Sequence, residues 1–243
     1  MSKYTFVGVI HPTRAIIENH KLKVKTSFRD ADNKTGFFNV DVRILMNQLL
    51  VNLEGDDIFD AFTMRNLIQG IVEGDLAKIA VITGHYYRVE VIRVINDSLE
   101  WDIVYGINNT LIQNHYPIDN YDETLRRIRG HSVGELGYHI NNALLNMSKA
   151  IGNVSDASFY CNRALECLRN HNSLRLGKTN EKDWNSFKLV LGVEDDFIKE
   201  NVGKYQLNTR HGRPDILSEQ QYSGCLKATW EIFYKYLDVL ELE

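Results

Sequence analysis

Cysteine is scarce in this chain, three in 243 residues, and Cys161, Cys167 and Cys225 form no CxxC pair. An odd, scattered set argues against a disulfide frame and a zinc site, and fits reduced core thiols in a cytoplasmic protein. Long apolar runs are missing too: none approaches the roughly 20 residues that cross a bilayer, so no membrane span is expected. The opening MSKYTFVGVI is too short and too polar for a signal peptide. Gly70, Gly74 and Gly84 stand singly, and neither GxGxxG nor a Walker-type phosphate loop occurs. The eight histidines are dispersed, with no HxH, HExxH or paired-carboxylate spacing, which argues against a metal-dependent hydrolase. No metal or cofactor is expected. A surplus of positive charge is also lacking: a formal net charge of -4 argues against a coat for nucleic acid and leaves room only for a local basic groove.

What is present suffices for one large core or two modest ones, with 44% hydrophobic and 25% charged residues. The expected class is α+β: an antiparallel, β-rich domain with one helix over residues 1–112, a connecting segment 113–134, and an α-helical bundle over 135–243. In the first domain Tyr4, Phe6 and Gly8 alternate with Thr5, Val7 and Val9 up to Pro12. Leu22, Val24, Thr26 and Phe28 then alternate with Lys21, Lys23, Lys25 and Ser27. After a turn over 30–36, Phe38, Val40, Val42 and Ile44 give the partner strand of a hairpin, which sets the lysines opposite Asp41. The lysine stripe reads as a solvated sheet face or as a track for a phosphate backbone. Residues 58–74 switch to helical period, with Thr63 as cap and Glu73 to Asp75 as the stop. Residues 77–82, 86–95 and 101–105 read as strands.

Residues 106–134 form a polar passage whose Arg126, Arg127 and Arg129 lie on a short helix, either solvated or facing phosphate. Beyond it Leu136, Ile140, Ala143, Leu144, Met147 and Ile151 mark a first amphipathic helix. A second starts at Asn153 or Ser155 and ends near 170–172; a third is capped by Asp183 and closed by Gly192; a fourth spans about 194–203. The last runs from Ser218 through Tyr222, Leu226, Phe233 and Leu237.

Between the last two helices lies KYQLNTRHGRP, residues 204–214, the best site candidate. Asn208, Arg210 and His211 bring an amide, a fixed cation and an imidazole within four residues, and Gly212 and Pro214 end any helix carrying them. Arginine can grip a phosphate while histidine gives or takes a proton, so the set suits phosphate chemistry. The same residues also cap a helix end, and that structural reading stays open.

The helices 159–170 (FYCNRALECLRN) and 225–237 (CLKATWEIFYKYL), with NTRHG between them, resemble a HEPN domain, the bundle of many prokaryotic toxins, CRISPR-associated RNases and phage-defence proteins. The β-rich front end resembles the leading part of uncharacterised bacterial proteins with such a tail. The resemblance implies a metal-independent endoribonuclease whose arginine, four to six residues, then histidine motif meets its copy across a homodimer. Here Lys204 stands at the outer spacing before His211, and the nearest arginine, Arg210, is adjacent. Arg126 and His131 match the spacing but precede the bundle. On this reading His211 is general acid or base, Arg210 and Lys204 hold charge, Asn208 orients, and Arg213 contacts substrate RNA. The seam of the last helix, with Trp230 and Tyr234 beside it, would supply the dimer contact. The rival reading is a non-catalytic sensor or scaffold, whose β-rich domain recognises a protein partner while the helical domain dimerises or docks.

Overall fold

The computed structural model describes residues 2–29, 33–56, 59–106, 110–116, 118–178, 183–206 and 217–242. The chain divides into two compact units, Met1–Ile107 and Asn108–Glu243.

The first unit is an antiparallel six-stranded sheet of β1 (Ser2–His11), β2 (Asn19–Arg29), β3 (Thr35–Leu45), β4 (Gln48–Gly55), β5 (Arg88–Asn96) and β6 (Trp101–Val104), in the order β2-β3-β4-β1-β5-β6. The alternation in β1, β3 and β4 is that of strands with one covered face: Tyr4, Phe6, Val40, Val42, Val51 and Leu53 are all buried. Helix α1 (Ala61–Thr83) contributes Met64, Leu67, Ile68, Val72 and Leu76 to the same core. β2 and β3 pair as expected, with Lys23 opposite Asp41.

Strand β4 has no counterpart in the expectations above. It follows β3 through a two-residue turn, Met46 and Asn47, both at positive φ. Asn47 tolerates that backbone and uses its buried amide well, accepting from Ile17 N at 2.7 Å and donating to the carbonyls of Pro12 and Ala15 at 3.3 Å each.

The helix expected over 58–74 begins and ends elsewhere. Asp60 is the cap, accepting from the backbone of Phe62 and Thr63, while the Thr63 hydroxyl donates to the other oxygen of Asp60. Nor does Gly74 stop it. A Cβ there would meet nothing, and Asp75 is bound by His20 of β2 at 2.6 Å and Lys78 at 3.0 Å. Residues 77–82, expected as a strand, are therefore helical. β-branched propensity is a weak preference, and a helix already anchored over four turns extends at little cost. The true stop is Gly84, at φ 71, whose N–H closes on the Ala80 carbonyl at 2.8 Å.

The second unit is helical: α2 (Thr110–His115), α3 (Tyr121–His131), α4 (Gly134–Gly152), α5 (Ala157–Arg175), α6 (Trp184–Leu191), a helical stretch 197–206 with a π-helical turn at Lys199–Gly203, and α7 (Glu219–Glu241). Its core joins Ile140 and Met147 of α4, Leu165 and Leu168 of α5, Phe187 of α6, Val202, and Phe233 and Tyr236 of α7. Asp183 caps α6 by accepting from Ser186 N, and Gly192 ends it at φ 62. Ser218 and Gln221 form a capping box on α7. Helix α5 runs beyond 170–172 to Arg175, because His171, Asn172 and Ser173 are buried in the bundle rather than turned out at a helix end.

Candidate functional site

Four of the five residues singled out in 204–214, Asn208, Arg210, His211 and Arg213, lie outside the described residues. The fifth, Lys204, lies in the last turn of the helical stretch 197–206. Its ammonium pairs with Glu200 at 3.0 Å and lies 5.0 Å from the centre of the Tyr205 ring. The hydrogen bond that Lys204 donates to Glu200, with the Tyr205 side chain beside it, holds the Lys204 pKa above its usual value. Lys204 is thus charged and already carries one anionic partner.

The helical stretch 197–206 is itself anchored to α5 and α7. The Tyr205 carbonyl accepts from Ser158 Oγ of α5 at 3.2 Å, and the Asn201 carbonyl lies 3.2 Å from Cys225 Sγ of α7. Ser158 begins a row of buried polar side chains on α5. Asn162, Arg169, Asn172 and Ser173 follow at steps of four, seven, three and one, a spacing that keeps them on one side of a helix. The Arg169 guanidinium stacks 4.6 Å over Trp184 of α6, and Asn162 donates to Glu166 at 3.1 Å. Two atoms of the row, Asn172 Nδ2 and Ser173 Oγ, are fully buried with no hydrogen-bond partner among the described residues. Each such group costs about 1–3 kcal/mol relative to a satisfied one.

On the neighbouring side of α5, His171 is 5% exposed, and its Nδ1 lies 2.6 Å from the Tyr236 hydroxyl of α7. Burial, reinforced by His139, Arg175 and His131 nearby, pushes its pKa down to about 4. The imidazole is therefore neutral at pH 7. The cysteines are free, and burial pushes Cys161 and Cys225 up to about 12, which disfavours their thiolate forms.

Other expectations resolve more simply. Arg126 pairs with Glu123 within α3, while Arg127 bridges to Asp238 at 2.6 Å and Glu241 at 2.5 Å on α7. These two arginines stitch a helix surface. Of the two aromatics beside the seam of the last helix, Trp230 is buried, and the half-buried Tyr234 stacks on Tyr116 at 5.5 Å. Among the described residues no group of three or more His, Cys, Asp or Glu side chains is placed to hold a metal. None of their helices is long and apolar enough to cross a membrane. The polar row on α5 is the feature that sequence reasoning missed. Its signal was there, since Asn162, Arg169 and Asn172 recur at helical spacing beside the apolar Cys161, Ala164, Leu165 and Leu168.

These features define a two-unit α+β protein, a helix-covered antiparallel sheet followed by a helical bundle with a buried polar row. Residues 4–105 match the N-terminal domain, and residues 125–241 the C-terminal domain, of a family described as domain of unknown function DUF8168. The chain belongs to that family. No curated protein and no solved structure matches it.

Proposed function

We propose that the helical unit is a HEPN-like RNA-binding module acting as a metal-independent endoribonuclease in a phage-defence or toxin system. The observation that supports this reading is the buried row on α5, tied through Ser158 to the Tyr205 carbonyl three residues before Asn208, and holding two unsatisfied polar atoms. A bundle built for packing alone has no use for such groups, so their presence favours a site.

In this reading a ribose 2'-hydroxyl attacks its own phosphorus, leaving a 2',3'-cyclic phosphate and a free 5'-hydroxyl. His211 takes the proton from the attacking oxygen, or gives one to the leaving oxygen, and the His211 of a second chain serves the other. Arg210 and Arg213 hold the phosphoryl oxygens, and Asn208 orients the reacting group. Lys204 joins them by exchanging Glu200 for phosphate, and it lacks the planar fork that an arginine would offer.

The test is incubation of the purified protein with mixed RNA, with and without chelator. Cleavage insensitive to chelator and lost in His211→Ala, with the melting temperature unchanged, supports the enzyme. The pairing of Lys204 with Glu200 favours the second reading, a non-catalytic sensor or scaffold that dimerises or docks a protein partner. In that case no cleavage occurs, and His211→Ala lowers the melting temperature by several degrees, as loss of a cap does.

A further inference from the structure

The lysine stripe of β2 plays no part in the site on the helical unit. β2 is an edge strand, and its inner residues Leu22, Val24 and Phe28 pack on the core under α1. Its other face is turned to solvent and carries Lys21, Lys23, Lys25 and Arg29, with Arg43 facing Lys21 across the hairpin. Against these five cations the described residues of β2 and β3 place one carboxylate, Asp41, already bound by Arg43 at 3.1 Å and approached by Lys23 at 3.8 Å. Glu54 on the next strand is paired with Lys3. This local surplus sits in a chain whose formal net charge is -4.

Two further features give the patch a chemical character beyond its charge. Phe37, opposite Ser27 on the same outer face, is 67% exposed. A large aromatic ring on a sheet face, clear of any core, offers a platform for a flat π system. Around it lies an open depression of about 350 Å³ lined by Lys25, Thr26, Ser27, Phe37, Phe38 and Asn39. Alternate residues on a strand stand about 6.8 Å apart, comparable to the step between successive phosphates of an extended single strand.

We infer that the outer face of the β2–β3 hairpin binds single-stranded RNA. Lys21, Lys23 and Lys25 follow the phosphates, a base stacks on Phe37 in the depression, and the Asn39 amide meets a ribose 2'-hydroxyl. A duplex does not suit this surface, since its bases are already stacked and cannot reach the ring. The inference deepens the RNA reading by naming a second contact surface, and it depends on that reading only for RNA as the polymer.

The experiment measures fluorescence anisotropy of labelled (U)12 with the full-length His211→Ala chain, so that cleavage does not intrude. The parent is compared with Lys21→Ala/Lys23→Ala/Lys25→Ala and with Phe37→Ala, each checked for an unchanged melting curve. All four side chains are exposed, so the fold should survive. The lysine variant should bind at least tenfold more weakly, with the log-log salt slope smaller by about 2, from three phosphate contacts at roughly 0.7 each. Phe37→Ala should bind roughly tenfold more weakly with the salt slope unchanged. Variants that bind like the parent would overturn the inference. So would a parent that binds no (U)12, prefers (dT)12, or prefers polyglutamate, the last marking an acidic protein partner instead. Lysine-dependent binding without any cleavage by the native chain keeps this surface and removes the nuclease. Cleavage with lysine-independent binding does the reverse.

Discussion

Acid should loosen the helical unit through one buried imidazole, and the size of the effect follows from the structure. The His171 imidazole, ordinarily near 6.5, is pushed down to about 4 in the folded chain, first by burial and then by the neighbouring His139, Arg175 and His131. Its ring stands edge-on to Tyr236, centroids 5.6 Å apart, with Nδ1 held by the hydroxyl. Between pH 6.5 and 4 the unfolded chain binds the proton and the folded one does not, so stability rises with pH across that window. Above pH 6.5 both states are neutral, and the contribution of His171 is fully present. As pH falls through the window it is lost, amounting to about 2 kcal/mol at pH 5 and about 3 kcal/mol by pH 4, at roughly 1.36 kcal/mol per unit. His171→Gln keeps an amide beside Tyr236 and does not titrate. Urea unfolding followed by far-ultraviolet circular dichroism at pH 7 and pH 5 should show the native chain losing about 2 kcal/mol more than the variant. The comparison is between two differences, so other carboxylates and histidines cancel. An equal loss in both proteins would refute the reasoning and place the acid sensitivity elsewhere.

Two further substitutions test the first unit. Gly8 lies at the register shift between β1 and β5, where an added Cβ would stand 2.3 Å from the Glu90 carbonyl oxygen, an atom of the backbone that cannot swing away. Gly8→Ala should therefore destabilise the sheet by about 1–3 kcal/mol, read as a lower urea midpoint, and an unchanged midpoint would contradict the close approach. Val81→Lys tests the long form of α1: the residue is 87% exposed near the helix end, so stability should stay within about 0.5 kcal/mol. A loss above about 2 kcal/mol would mean that Val81 is buried, as a strand over 77–82 would have it.

Features that depend on neighbours in the chain were legible from residue order. The period-two pattern of Lys21 to Phe28 against Phe38 to Ile44 names a hairpin and its register, because slipping by one residue would turn three lysines inward and the hydrophobes outward. Asp183, Gly192 and Ser218 mark helix ends through hydrogen bonds that span three or four residues. The α+β division follows from the change of period along the chain.

What the order of residues left open was settled by contacts between distant segments. Lys78 to Ile82 has the β-branched look of a strand, yet α1 carries it as helix, continuing past an Asp75 that His20 of β2 holds from 55 positions away. Burial disfavours the Asp75 charge, and the bonds from His20 and Lys78 outweigh it, keeping the carboxyl below its usual range. His171, Asn172 and Ser173 look like a polar helix end, and become interior only when α7 brings Tyr236 across the bundle. Propensity and periodicity act over one or two turns. Burial of a charge or an imidazole is decided by the side chains that arrive from elsewhere, and that arrival exists only in the folded chain.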